Sequence, residues 1–412
     1  MMNRRIKSTA LGVAFRRFAF SNVCAQSAEQ IGLATAPILA VYLFAATPSE
    51  TALLQMVQSA PFLLLAIPVG VFADRLPRRS MLVAAEVLRA SCFAIIILLL
   101  FSGMLNMATL AIFSFLGAAG TVAYNVTLPG TTPLLVERHA LSTANSRLEL
   151  ARSIAFTAGP SVAGLVYSAV GGVPAYAVAL ILSLSATYLV CLIPLHKPVS
   201  AGRNWLAELR EGFGFTFTNA YLRPVLFTAI AFNTAWFILQ ASFVPYAAAH
   251  LGMGPADVGT AMAVYGVGMI CGALFIPRLS KTLAFGNLVM LGPVGGLVGA
   301  VLMTATIWST FRPLVWMSFF FFGAGPVIWA ASTATLRQAV TSQALMGRVS
   351  AVITTFTFGA RPMGALIAAV IAGLYGPAVC IAVALIGFVA QFVIILQSEV
   401  CRLIDAPFLE NA

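Results

Sequence analysis

Charge is what this sequence has least of. Asp, Glu, Lys and Arg together make up 8% of its 412 residues, where an average soluble domain carries about 25%. A water-soluble fold of this length cannot cover its surface with so few charges. A membrane-embedded fold can, because lipid takes the place of water. Histidine is nearly absent too: His139, His196 and His250 fall near the gaps between apolar runs, so neither a proton relay nor a metal site is indicated. The six cysteines (Cys24, Cys92, Cys191, Cys271, Cys380, Cys401) are scattered and form no CxxC pair. That excludes a disulfide framework and a zinc site and leaves them as small apolar residues. There is no Walker loop, no dinucleotide-binding glycine fingerprint and no Ser/His/Asp set in a plausible soluble region. Neither an enzyme nor a bound cofactor is expected.

What the chain has instead is apolar sequence, 60% of it, with a mean hydropathy of +0.97. A membrane-spanning helix needs about 20 apolar residues. Qualifying runs lie near 18–45, 51–73, 80–102, 106–130, 147–170 and 173–194, then near 222–249, 256–278, 284–307, 313–336, 347–374 and 376–398. The expected fold is therefore all-α, about twelve membrane spans in two six-helix units. Residues 1–194 form the first bundle, 195–221 a polar linker, and 222–412 the second bundle with a short tail.

The net charge of +11 raises the question of nucleic acid. The basic residues do not cluster with aromatic neighbours on a polar face, so no nucleic-acid partner is expected. They sit in short gaps. Arg16 and Arg17 precede the first run; Arg75, Arg78 and Arg79 follow the second; Arg138 and Arg147 follow the fourth. Lys197, Arg203 and Arg210 occupy the linker. Arg278, Lys281, Arg337, Arg348 and Arg402 continue the series. With twelve crossings all of these share one side, and the opposite gaps hold only Arg312. The positive-inside rule then places both termini and the linker in the cytoplasm. The N-terminal MMNRRIKSTALGVAFRRFAF reads as an uncleaved tail entering the first span, because Arg16 and Arg17 break its apolar stretch too early for a signal peptide.

The chain also repeats itself. A shift of 202 residues lays Gly70 of GVFADRLPRR on Gly272 of GALFIPRLSK, and Pro160 of TAGPSVAG on Pro362 of GARPMGAL. Two landmarks sharing one offset point to two copies of a six-span unit, related by a pseudo-two-fold along the membrane normal.

The phrase GVFADRLPRR, containing Gly70, Asp74, Arg75, Arg78 and Arg79, resembles the loop signature of the major facilitator superfamily, G-x-x-x-D-R-x-G-R-R/K, with Pro77 in the place of a glycine. Gly70 would let two helices approach closely. Asp74 would pair with an Arg or cap a helix N-terminus, and the Arg cluster would stay in water, the whole forming a conformational gate. AFTAGPSVAG, containing Gly159, Pro160 and Gly164, is similar to the span-5 pattern of exporters and antiporters in that superfamily, with Ala155 and Ala163 at two glycine positions. Other phrases resemble the branch of enterobactin exporters and macrolide-efflux proteins. The Arg within span 4 of many proton-driven exporters has no counterpart here, where Tyr124, Asn125 and Thr127 stand instead.

Glu29 is the sharpest candidate for binding or coupling. It lies near the middle of span 1 beside Gln26 and Gln30, and Asn22, Gln26 and Glu29 share one helix face. A charge at that depth costs about 2.5–3.5 kcal/mol, so it should face a cavity or a partner. A carboxyl neutral in one state and charged in another can couple proton flow to exchange. Arg361 in mid-span 11 must likewise pair or reach water, with Gln55, Gln58 or span-2 carbonyls as expected contacts. Glu86 and Arg89 read as a local pair near the cytoplasmic end of span 3. Asn233 and Gln240 on span 7 are cavity candidates, and Trp236 belongs to a group of aromatics that either line a pocket or pack.

The resemblance implies a monomeric transporter in a bacterial inner membrane that exports a small amphipathic molecule, a siderophore or an antibiotic, in exchange for protons. An importer of the same fold and a non-transporting membrane sensor are the alternatives.

Overall fold

The computed structural model describes residues 12–136, 141–194 and 205–405. Among them the chain is almost wholly helical, as a bilayer demands, since a lipid-exposed backbone must satisfy its hydrogen bonds within itself. The first half contains α1 (Val13–Phe44), α2 (Pro48–Leu64), α3 (Ala66–Arg75), α4 (Arg78–Phe101), α5 (Met107–Thr131), α6 (Leu141–Val170) and α7 (Gly172–Cys191). Next comes α8 (Trp205–Thr218). The second half contains α9 (Leu222–Leu251), α10 (Pro255–Thr282), α11 (Phe285–Ala305), α12 (Pro313–Val340), α13 (Gln343–Tyr375) and α14 (Pro377–Leu396). Among the described residues, eleven helices are long and apolar enough to cross a membrane. The twelfth crossing is α2 and α3 end to end, broken at Leu65. The sequence reads this stretch as one continuous run. Pro68 supplies the reason for the break: it has no N–H to offer the carbonyl of Leu64, so the helical ladder is interrupted there.

The repeat is visible in the turns. A single glycine in left-handed conformation joins α6 to α7 (Gly171, φ 89°), and another joins α13 to α14 (Gly376, φ 84°). A side chain would be strained at either place. Pro160 lies inside α6 and Pro362 inside α13, the corresponding spans of the two halves.

The polar stretch between the halves is not simply a loop. It contains α8, which docks on the second half. Phe213 and Phe217 stack at 4.2 Å and both meet Phe356 of α13, at 6.0 and 5.7 Å. Glu211 pairs with Arg348, and Gly212 lies against the Arg348 backbone. Arg79 donates to the carbonyl of Cys191 at the same membrane face, hereafter the basic face. At the opposite face Arg312 pairs with Asp257 at 3.3 Å.

The halves meet along two seams, α2 on α13 and α6 on α10. Hydrogen bonds across them sit toward the opposite face: Tyr42 donates to the Met253 carbonyl at 2.6 Å and Ser49 to the Ala369 carbonyl at 2.9 Å. The first seam continues to Leu63 against Gly359. There α2 ends, and α3 packs instead on α5 and α4. Among the described residues, the contacts of the first seam thus stop short of the basic face. The second seam depends on missing side chains. A Cβ on Gly164 would lie 2.6 Å from the Pro255 carbonyl oxygen and 2.8 Å from Gly259 Cα, and one on Gly266 would lie 2.4 Å from Thr157 Cα.

Gly70 behaves otherwise. A Cβ there would meet only Val126, at an ordinary 3.9 Å, so the close crossing expected of it is absent. Its repeat counterpart Gly272 is tight, 2.6 Å from the Ala324 carbonyl oxygen. Replacing Gly164 by leucine is expected to destabilise the protein by about 1–3 kcal/mol, because rigid backbone atoms cannot yield cheaply. Gly70→Ala is expected to leave stability unchanged or slightly raised. Thermal unfolding of the detergent-purified variants checks both.

Candidate functional site

Arg89 and Glu86 on α4 are the most deeply buried charges described in the first half, with side chains 2% and 0% exposed. Their separation of three residues puts them on one helix face, and Arg89 Nη2 lies 3.1 Å from Glu86 Oε1. Arg89 Nη1 donates to the Ala25 carbonyl at 2.7 Å, and the Ser183 hydroxyl donates to Glu86 Oε2 at 2.8 Å. The pair thereby ties α4 to α1 and α7. It is not a pair at the membrane edge, as the sequence suggests, but the polar centre of the bundle. Tyr124, wholly buried on α5, has its ring 6.0 Å from the Arg89 guanidinium.

The polar stripe of α1 divides in two. Asn22 donates to the Leu148 carbonyl of α6 at 3.3 Å, and Gln26 donates to Asn125 of α5 at 3.0 Å. Gln30 is buried against α6, where a Cβ on Gly159 would come within 2.5 Å of its own. These side chains act as glue between helices, a correction to their reading as cavity residues. Glu29 is 8% exposed and makes no direct hydrogen bond among the described residues. It lines a cavity of about 30 Å³ with Gln58, Arg89, Ser114, Thr121 and Tyr176, room for roughly two water molecules. Within that lining Gln58 Oε1, Arg89 Nε and the Tyr176 hydroxyl lack a hydrogen-bond partner among the described residues.

Glu29 also faces the seam between the halves. The charges that act on it are Arg89 and Glu86 on α4, Arg152 on α6 and Arg361 on α13. Arg361, Arg152 and the Tyr265 hydroxyl of α10 act on one another as well. Five helices, three from the first half and two from the second, thus bring ionisable groups within one another's field. Arg361 Nε donates to Asn233 Oδ1 at 3.2 Å, and its guanidinium lies 4.3 Å from the Phe358 ring centroid, 5.5 Å from Phe237 and 5.9 Å from Phe62. Its amide partner is therefore on α9, not Gln55 or Gln58 of α2. Asn233 also donates to the Ala229 carbonyl at 2.9 Å. Gln240 is half-buried further along α9. Trp236 stacks on Tyr265 at 5.2 Å and meets Phe322 at 5.0 Å, so it is chiefly part of the second half's aromatic core.

Of the expected gate, Gly70 lies mid-way along α3, Arg78 opens α4, and Arg79 is held by Cys191. The side chains of Asp74 and Arg75 lie outside the described residues. Gly159, Pro160 and Gly164 lie on α6 at its contacts with α1 and α10.

The fold has many solved relatives. A bacterial homologue of the iron transporter ferroportin in an inward-facing state superposes with a TM-score of 0.73 over 93% of this chain and 98% of that one, at 14% identity. The nucleoside transporter NupG does so with a TM-score of 0.68 over 93% and 98%, at 14% identity. Residues 15–407 match the sequence profile of a family described as transmembrane secretion effector, of the major facilitator superfamily. The chain belongs to this family.

Macrolide efflux protein A of Enterococcus faecalis is 23% identical to this chain over 220 residues, 52% of this chain and 68% of that one. The protein of the same name in Streptococcus pyogenes is 22% identical, and the match spans 54% of its length, about half. The multidrug efflux pump Tap of Mycolicibacterium fortuitum is 24% identical over 360 residues, 83% of this chain and 87% of that one. The protein is a multi-pass membrane transporter of the major facilitator superfamily, not an enzyme.

Sequence reasoning missed Arg152 in this family member. It stands in the N-terminal half of α6, in a stretch with Arg147 and Glu149 that reads as a helix end in water. Arg89→Ala is expected to cost about 3–5 kcal/mol because it strands the Glu86 carboxylate. Replacing Glu86 and Arg89 together by leucine and methionine is expected to recover most of that loss. Glu29→Gln breaks no hydrogen bond and is expected to stay within about 1 kcal/mol of the native chain. Chemical unfolding in one detergent, arranged as a double-mutant cycle, measures all of these.

Proposed function

We propose that this transporter exports a small amphipathic molecule, siderophore-like or antibiotic-like, across the cytoplasmic membrane in exchange for protons. The observation that carries the proposal is Glu29: a carboxyl near the middle of the bilayer, at the seam of the halves, within the field of Arg89, Arg152 and Arg361 and without a direct hydrogen bond among the described residues. Such a group is held by no fixed partner, so its proton can come and go as the halves rock. The efflux names of the low-identity relatives support the outward direction, and so does the resemblance of the Gly159–Gly164 stretch to antiporter helices. The basic face is the cytoplasmic one in this reading, with both termini there, and the protein works as a monomer. The gate is the α3–α4 junction, from Gly70 to Arg79. Alternating access then amounts to bringing the halves together at the basic face while the contacts of Tyr42 with Met253 and of Ser49 with Ala369 open.

The test uses bacterial cells stripped of their own efflux pumps, expressing the native chain or Glu29→Gln. Accumulation of radiolabelled erythromycin and of a radiolabelled catecholate siderophore is followed with and without a protonophore. The native chain is expected to lower accumulation of at least one of them. The protonophore is expected to abolish that effect, and Glu29→Gln to match cells without the transporter although the variant is present in the membrane. Raised accumulation with the native chain would identify an importer. Extrusion indifferent to both the protonophore and Glu29→Gln would remove Glu29 from the coupling mechanism.

A further inference from the structure

The transport reading leaves the chemical class of the cargo open, and the Arg361 guanidinium narrows it. Three of its sides are committed. Nε is bonded to Asn233, which is itself fixed by the Ala229 carbonyl. One face lies over Phe358 at 4.3 Å, and Phe237 and Phe62 close in at 5.5 and 5.9 Å. What is left is the outer edge, where Nη1 and Nη2 have no hydrogen-bond acceptor among the described residues. A guanidinium edge carries parallel N–H groups whose spacing matches the two oxygens of a carboxylate, sulfonate or phosphate. Aromatic stacking contributes about 0.5–2 kcal/mol, comparable to but no more than the cost of a central intramembrane charge, about 2.5–3.5 kcal/mol. An anion on the open edge would supply the rest.

The groups that act on Arg361 are the Tyr265 hydroxyl, Arg152 and Glu29. Behind Glu29, Arg89 and Glu86 cancel each other. A lipophilic cation would enter against repulsion from the Arg361 edge. An anion would meet that edge, and its apolar body would lie against Phe62, Phe237 and Phe358.

We infer that the cargo is an amphipathic organic anion with an aromatic or otherwise apolar body, and that Arg361 receives its anionic group end-on through Nη1 and Nη2. The inference rests on the reading of the seam as the cargo site, and it holds for either direction of transport. Asn233 is then a positioning residue, holding the guanidinium by Nε so that Nη1 and Nη2 stay available.

The test is binding rather than transport, so it stands apart from the question of export. Three dyes are used: anilinonaphthalene sulfonate, an aromatic anion; phenylnaphthylamine, the same skeleton without the sulfonate; and ethidium, an aromatic cation. Each is equilibrated by dialysis with the full-length protein in nanodiscs of zwitterionic lipid, against empty nanodiscs. The native chain is expected to bind the sulfonate roughly tenfold or more tightly than the neutral dye, the size of a charge-assisted hydrogen bond. Arg361→Gln is expected to bring the two dyes level. Arg361→Lys, which keeps the charge and loses the fork, is expected to fall between. Asn233→Leu is expected to weaken the sulfonate preference and leave binding of the neutral dye alone. Monodisperse elution and an unchanged unfolding temperature certify each variant before it is read. The inference is overturned if ethidium binds best to the native chain, if Arg361→Gln keeps the preference, or if the native chain binds no sulfonate above empty nanodiscs. A sulfonate preference that stands while the cell assay shows no extrusion would keep the anion site and discard export.

Discussion

An ionised group at membrane depth must be paired or must face water, because hydrocarbon solvates neither charge nor dipole. The interior of this transporter is arranged around that demand. In the first half it is met by pairing: Arg89 and Glu86 neutralise each other and draw in Ala25 and Ser183, so one ion pair joins α4 to α1 and α7. Such a pair adds little net stability over apolar residues of the same volume. What it does is tie this register of the three helices to a set of polar contacts. At the seam the demand is met differently. Among the described residues Glu29 has no direct hydrogen bond, and the one side-chain hydrogen-bond partner of Arg361 is Asn233.

The contrast separates rigid from movable parts. Asn22, Gln26, Gln30 and Tyr124 belong with the rigid first half, stitching α1 to α5 and α6 or packing on Arg89. Trp236 belongs with the rigid second half, inside an aromatic core that includes Phe319, Phe322 and Phe388. Between them lie seams of a different character. The α6–α10 seam is built on Gly164 and Gly259, whose backbones meet directly, and on Gly266, which seats Thr157. A smooth contact of this kind lets two bundles rock while each keeps its packing, which is what alternating access around a midplane site requires.

The α2–α3 break adds a local device to the same scheme. Above Leu65 the helix belongs to the seam with α13; below it the chain turns to α5 and α4. The segment that carries the superfamily's loop signature is thus a short helix separated from the seam by a proline-induced joint, and the loose surroundings of Gly70 accord with a part that changes neighbours.

Hydropathy and charge are local properties of a sequence, and what depends on them was legible there. The spans, the six-plus-six repeat, the grouping of basic residues on one face and the presence of unusual charges at Glu29 and Arg361 all follow from which residues stand within twenty positions of one another. The break at Leu65 was less legible, because an apolar run looks the same whether or not one proline interrupts its ladder. The facing of each polar residue was not legible at all. Asn22, Gln26 and Glu29 share a helix face, yet the first two meet α6 and α5 and the third meets the seam, since α1 is surrounded on several sides and its neighbours come from distant parts of the chain. Arg152 reads as a surface charge until α10 is brought against α6. The sequence by itself determined that this chain lives in a membrane and carries costly charges there. Only the packing of helices distant in sequence decided which partners each of those charges meets, because those partners come from helices far apart in the chain.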